Sequence, residues 1–445
     1  MTRQRAVLVV LTLLAVVTLV VAPWSRPSAP SAQGVEVFLN VTGSGARKLN
    51  IVIPEFTVAS GTDVGNAAPL LAQVTGADLT FSRRFAVVGN GGAMPANDPE
   101  KLKKLRADYA AMGAHALLHG LLTVRGDRLE TEMRLYDLTA ADHRLITTKT
   151  FAMAAPQVRR LAHKMADEVV LQFTGEAGVA DTKIAYVTGR PGAKEIVIAD
   201  YDNHAATMMT KNGSINLQPV WAPDTRSLVF TSFMNGYPDL YRAFPFQKRA
   251  EEAIAQYRGL NTSPSWSPDG TQVAMTLSKD GSPNIYVHNL ATGVLRRLTR
   301  HRGIDAEPTW SPTGNQIAFV SDRGGRPHVY VMDPEGNNVK QLSAGGHHTQ
   351  PRWSPKGDRI AYTTRAGNHD IWSMRNDGSN ARRLTSGPRD NMSPAWSPDG
   401  RLLMFQTTRQ QGWQLYSMLA DGSEPFALTR GPGEAMSPSW SARLP

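Results

Sequence analysis

The sequence predicts an α/β domain followed by an all-β six-bladed β-propeller. Three observations carry this: a tryptophan motif that recurs six times, four short strand-like runs within each interval, and a final motif with no unit after it. The recurring residues are Trp221, Trp266, Trp310, Trp353, Trp396 and Trp440, spaced 45, 44, 43, 43 and 44 residues apart. They account for six of the nine tryptophans in the chain, so one structural slot claims most of the supply. A period of this length with four strands per repeat is a propeller blade.

Along the chain, the N-terminus comes first. Arg3 and Arg5 precede an apolar run of 17 residues, 6–22, and then a Pro/Ser/Ala segment at 23–32. Charged, apolar and small-residue regions in that order make a secretory leader, with cleavage expected near Ala32. The run also reaches the short limit for a membrane span, so an uncleaved anchor is the alternative. After cleavage no second apolar run of that length follows. Residues 33–178 then alternate between periods. Strands are expected at 35–41, 49–53 and 85–88, and helical spacing at 68–79. A second helix should begin after Asp98, a capping residue followed by Pro99 in the first turn. Three strands (115–122, 129–137, 145–151) and a closing amphipathic helix (157–173) complete a mixed sheet with helices.

The propeller is expected over residues 181–445. Its units carry Pro264-Ser265-Trp266-Ser267-Pro268-Asp269-Gly270 and close variants at Trp310, Trp353 and Trp396. Proline at the second turn position and glycine at the fourth fit a tight turn that folds the innermost strand back on its neighbour. The tryptophan before it has the apolar area to lock one blade to the next. Thr225 stands where the turn glycine is expected, and 243–259 is longer and more charged than its equivalents, leaving that unit's outer strands open. Strands at 184–187 and 195–198 lack a preceding Trp motif, whereas Pro438-Ser439-Trp440-Ser441 lacks a following blade. Joined, the two make one unit and close the ring, removing exposed sheet edges.

Composition narrows the chemistry. The chain has no cysteine, which excludes disulfides, thiolate-held metals and a thiol nucleophile. Lys+Arg 48 against Asp+Glu 38 gives +10; in a secreted protein that favours an anionic protein or envelope surface, or simply a solvated basic face, over nucleic acid. No nucleophile elbow, dinucleotide fingerprint or phosphate-binding loop occurs. His115 and His119 lie on an expected strand, without the glutamate of a zinc-protease motif. His347, His348 and Gln350, just before an innermost strand, are the one arrangement that suggests a divalent metal; an ordinary polar rim is the simpler reading. The segments 216–218, 261–263, 305–307, 347–350, 390–393 and 434–437 are expected as short polar connections around a channel mouth, a surface suited to a partner.

Taken together, a leader, the Val35-Glu36-Val37 strand, Ile53-Pro54-Glu55-Phe56, an α/β domain and six Trp-Ser-Pro-type blades beginning Ile184-Ala185-Tyr186-Val187 resemble the TolB family of the Tol–Pal envelope system. Asn284-Ile285-Tyr286-Val287, Glu307-Pro308-Thr309-Trp310 and the abrupt Pro438-Ser439-Trp440-Ser441 ending are similar as well. The resemblance implies a non-enzymatic, monomeric periplasmic adaptor without cofactor, acting in outer-membrane integrity and invagination during division. Its propeller mouth would hold the Pal lipoprotein through His301, Asp305, Ala306, Glu307, His348, Gln350, Asp390 and Glu434. Glu307 matches the family's loop best, and His301 and Ala306 correspond more loosely. The N-terminal arm, with Val35, Glu36, Val37 and Phe38, would engage the C-terminal domain of TolA. The rival reading is a metal-dependent polysaccharide lyase or hydrolase built on a propeller, using His347, His348 and Gln350.

Overall fold

The computed structural model describes residues 47–445, apart from 64, 90–93 and 96–97. The expected leader and the arm residues Val35, Glu36, Val37 and Phe38 lie outside the described residues. The first half is organised around one mixed sheet. Its strands are β1 (Leu49–Val52), β2 (Thr57–Ser60), β3 (Phe85–Val87), β4 (Ala116–Arg125), β5 (Arg128–Asp137) and β6 (Leu145–Ala154). The order is β3-β1-β4-β5-β6, with β2 also paired to β4. Pairings of β1 with β3 and β4 are parallel, and the β4-β5-β6 meander is antiparallel.

Three helices cover the sheet, and local chemistry sets where each begins. Helix α1 (Ala67–Phe81) starts where the Asp63 carboxylate accepts from the Ala67 and Ala68 amides at 2.8 and 2.9 Å, satisfying two otherwise orphaned donors. Helix α2 (Pro99–Ala111) starts at Asp98, whose side chain accepts from the Lys101 amide. Helix α3 (Val158–Thr174) ends at Gly175, which takes φ 70°, the left-handed conformation that a glycine adopts without strain. Leu102 and Tyr109 of α2 pack on Val52, Leu117 and Tyr136. Ala116 and Leu118, pointing the other way along β4, are also buried, as a sheet covered on both faces requires.

Gly120 in the middle of β4 shows how tight this packing is: a Cβ there would fall inside van der Waals contact of the Phe56 ring. Gly120→Ala is expected to destabilise the chain by about 1–3 kcal/mol through overpacking, read as a lower urea midpoint with unchanged slope. An unchanged midpoint would show that the ring has room to move.

The second half forms six four-stranded antiparallel sheets. Five follow simple sequence order, with innermost strands Asn216–Trp221, Asn261–Trp266, Asp305–Trp310, His347–Trp353 and Asn391–Trp396. The sixth is composite: the closing strand Met436–Arg443 pairs with β7 (Thr182–Arg190), followed by β8 (Ala193–Asp200) and β9 (Thr207–Met208). Register places Trp440 opposite Ile184 and Ser439 opposite Ala185, so residues from both ends of this region share one sheet.

The tryptophans lock blades, as their spacing implied. All six are no more than 8% exposed. Trp221 packs with Ala185, Ile196 and Ile198 of the preceding blade, and Trp266 with Val229 and Leu240 of its own predecessor. The Trp266 indole donates to the Val220 carbonyl at 3.2 Å and that of Trp396 to the Arg352 carbonyl at 3.0 Å. In the turns that follow, the amides of Gly270, Gly314, Gly357 and Gly400 donate back to Ser267, Ser311, Ser354 and Ser397. Thr225 adopts the same left-handed conformation, φ 61°, and closes the same bond to Ala222. The irregular unit completes its outer strand at Glu252–Ala255.

The two halves meet through buried contacts. His163 of α3 lies 2.7 Å from the Asp78 carboxylate of α1, and the Tyr201 hydroxyl just after β8 donates to the same group at 2.6 Å. Phe81 packs edge-on against Tyr201, with centroids 4.7 Å apart. Arg83 reaches Ser417, and Glu176 bridges Arg84 and Lys356.

Candidate functional site

Every innermost strand carries the same irregularity, and it shapes the channel. The pairing register slips by one extra residue in all six, as between Leu217 and Val220 or Ala306 and Thr309. Such an insertion is a β-bulge, which re-aims a side chain. The bulged residues are Gln218, Ser263, Glu307, Gln350, Ser393 and Ser437, each before a proline and each at φ between 48° and 55°. Six non-glycine residues in the left-handed region at equivalent positions are a built feature. With Arg352, these six line a small cavity of about 50 Å³ inside the propeller.

Their side chains stitch blade to blade. Gln218 Oε1 accepts from the Ser263 amide at 3.0 Å, Glu307 Oε2 from the Gln350 amide at 2.6 Å, and Gln350 Oε1 from the Ser393 amide at 2.9 Å. The bulge turns each amide toward its neighbour, and the side chain upstream satisfies it. Burial pushes the Glu307 carboxyl up, against the opposing pull of the Gln350 amide and the Arg352 charge. Burial likewise lowers Arg352, with Glu307 opposing. The channel thus holds one carboxylate and one guanidinium among neutral groups.

Around this ring, the rim expected from sequence is partly strand and partly core. Four of the segments expected as connections are the first halves of innermost strands, whereas Asp390 and Glu434 precede theirs. Asp305 is fully buried and takes two 3.0 Å bonds from Arg323. His348 is 4% exposed, with Nδ1 3.0 Å from Thr364 Oγ1 and Nε2 3.3 Å from the Ala344 carbonyl, and burial lowers its pKa. Both side chains are turned away from solvent, and Arg323 and Thr364 belong to the same blades as Asp305 and His348, so these bonds brace each blade internally. Glu307 and Gln350, which line the channel, and Ala306 beside them are half-buried. His301 is half-buried, 3.5 Å from Asp322, and Asp390 accepts from the His369 amide at 2.9 Å. That amide and the His369 ring hold the Asp390 carboxyl below its ordinary range. Glu434 pairs with Lys194.

The metal arrangement does not assemble. His347 is exposed whereas His348 is buried, as neighbours on a strand must be. Gln350 is engaged by Thr363 and Ser393. Among the described residues no group of three or more His, Asp or Glu is placed to hold a metal. His119 is a core residue whose pKa burial lowers to about 4, and His115 accepts from the Asn50 amide. What sequence reasoning missed is the bulged ring. Its signal was present as the residue before the proline, three before each tryptophan. A second cavity, of about 840 Å³, lies between α1 and the propeller, lined by Gly76, Phe81, Tyr201, Glu424 and Phe426 among others.

Comparison with known proteins bears on this geometry. Residues 170–444 match the model of the TolB beta propeller domain, and 37–144 that of the TolB amino-terminal domain. The chain belongs to the TolB family. Among similar proteins named Tol-Pal system protein TolB, that of Roseobacter denitrificans is 34% identical over 234 residues, 52% of this chain and 51% of the relative. That of Geobacter sulfurreducens is 38% identical over 197 residues, 43% and 44% of the two chains. The chain spans about half the length of the curated relatives it matches. The crystal structure of TolB from Acinetobacter baumannii superposes with a TM-score of 0.77 at 27% identity, covering 89% of this chain and 97% of that one. Among the described residues of this TolB-family chain no helix is long and apolar enough to cross a membrane.

Proposed function

We propose that the chain is a non-enzymatic component of the Tol–Pal system in the periplasm, an adaptor between the outer-membrane lipoprotein Pal and the inner-membrane protein TolA. The observation that carries this reading is the presence of both TolB-type domains in one chain. The mouth of the propeller is the Pal-facing surface. His301, Ala306, Glu307, Gln350, Asp390 and Glu434 are its candidate contacts, while Asp305 and His348 act from beneath by bracing their own blades. The arm with Val35, Glu36, Val37 and Phe38 is the TolA-binding element. Choice of the arm between its own domain and TolA would alter the hold on Pal, helping draw the outer membrane inward at division.

Calorimetric titration of the secreted chain with the soluble domain of Pal and the C-terminal domain of TolA tests this. Binding of both is expected, with TolA binding lost on removal of residues 33–41. Equal Pal affinity with and without those residues would remove the switch and leave the adaptor. Failure to bind either domain would overturn the reading.

A further inference from the structure

Exposed cations crowd the mouth of the propeller. Each innermost strand starts at the mouth and runs toward its tryptophan, so connections between blades, and hairpins between second and third strands, all lie at the mouth. The connections carry Lys211, Arg258, Arg300, Arg302, Arg389 and Arg430, all exposed. Among the described residues, none of them forms an ion pair with a carboxylate. Arg326 and Arg365 extend the set onto two hairpins.

The acids at the mouth are already engaged. Asp280 pairs with Lys279 and Arg297, Asp322 lies beside His301, Asp390 beside His369, and Glu434 pairs with Lys194. At the opposite end, turn acids such as Asp224, Asp269 and Asp358 are exposed. Cations without an ion pair among the described residues therefore surround the channel mouth, and such a field attracts and orients an anionic partner.

A second feature tells what kind of anion. Tyr237 is 72% exposed, Ile304 48% and Leu260 42%. All three sit at the mouth, on one hairpin and two successive connections, interleaved with Arg258, Arg300 and Arg302. Exposed tyrosine and aliphatic side chains beside arginines are the composition of a protein-binding hot spot. A bilayer would meet the whole ring at once, whereas these apolar groups occupy one sector. The Glu307 carboxylate inside the ring would also repel lipid phosphates at its centre.

We propose that the mouth recognises an acidic protein surface, with carboxylates around the partner's footprint meeting Arg258, Arg302, Arg389 and Arg430, and an apolar patch seated on Tyr237, Leu260 and Ile304. The proposal rests on the mouth being the docking face of the adaptor. It adds the chemistry the partner must present and the side on which contact is tightest.

The test compares the unaltered chain with a variant carrying Arg258→Glu, Arg302→Glu, Arg389→Glu and Arg430→Glu, and with another carrying Tyr237→Ala and Ile304→Ala. These side chains are exposed and unpaired, and an unchanged melting curve verifies folding. Probes are the soluble Pal domain, poly-glutamate and phosphatidylglycerol vesicles, each at about 50 and about 300 mM salt, where screening lengths differ more than twofold. Charge reversal is expected to weaken Pal binding at least about tenfold at low salt, mainly through association rate. The apolar variant should weaken it by a similar factor through dissociation rate, independent of salt. Pal binding that neither salt nor charge reversal alters would overturn this inference and leave the adaptor standing. Salt-sensitive capture of poly-glutamate without Pal would support the mouth chemistry and count against the adaptor reading. Binding of vesicles in preference to either polypeptide, or of no probe, would overturn the inference.

Discussion

Removing residues 436–445 is expected to abolish the cooperative melt of the propeller. The closing strand supplies the whole inner edge of its sheet. Trp440 donates to Thr182 Oγ1 at 2.8 Å, Ser441 Oγ accepts from the Lys183 amide at 2.9 Å, and Arg443 reaches the Gly178 carbonyl. Loss of one buried tryptophan alone costs about 3–5 kcal/mol. Total stability of a natural domain is only about 5–15 kcal/mol, so losing the tryptophan, the ladder and the ring closure together leaves little. Near-ultraviolet circular dichroism and limited proteolysis would read the outcome. A truncated chain that kept its tryptophan signal and melted as sharply as the intact one would show that the ring needs no such fastening.

The second large effect is expected at the joint between the halves, on replacing His163 with glutamine. His163, Asp78 and Tyr201 are 3%, 4% and 1% exposed. Burial alone would lower His163, but the carboxylates of Asp200 and Asp78 overcome it and push the imidazole up to about 9. Burial pushes the Asp78 carboxyl up, with His163 and Tyr201 opposing. Burial would also raise Asp200, yet His163 and Lys183 hold it down to about 2. Removing the imidazolium strands a buried carboxylate, a loss of roughly 3–5 kcal/mol.

The sign of the pH dependence follows from those directions. A histidine raised above its ordinary value of about 6.5 contributes fully below that pH and loses its contribution as pH climbs through about 9. The Asp200 contribution is present above about 4 and fades as pH falls through about 2. Stability of the joint should decline on the alkaline side, as pH climbs through about 9. Urea melts from pH 5 to about 10 should show that decline in the parent chain and its absence in His163→Gln. Parallel alkaline slopes in the two would show that the imidazole carries no charge there.

Much of the architecture was legible because its signals are local and repeated. Six tryptophans in phase, turns with proline and glycine in fixed places, and Asp98 before Pro99 each act within a few residues. The rim was less legible. Whether the polar side chain five residues before five of the six tryptophans faces water depends on a neighbour supplied elsewhere. Arg323 takes Asp305, and Thr364 takes His348, so both sink into the wall. A polar residue beside a glycine turn reads as loop until that neighbour is known. The bulged ring was hidden for a related reason. Its left-handed residues are Gln, Ser and Glu rather than glycine, and their conformation is sustained by bonds to the next blade. No local pattern announced the joint either, since His163 and Tyr201 lie 85 and 123 residues from Asp78.

The composite sheet also bears on how the molecule comes into being. Thr182 and Trp440, in contact within it, are 258 residues apart in sequence. A chain delivered from its N-terminus can therefore build five sheets while the sixth waits, one strand short, for the final segment to arrive. Until then β7 presents an unsatisfied edge, ready to pair with a stranger. Completion of this protein is thus a late, all-or-none event, and a product cut short in synthesis would be left open to proteases and chaperones.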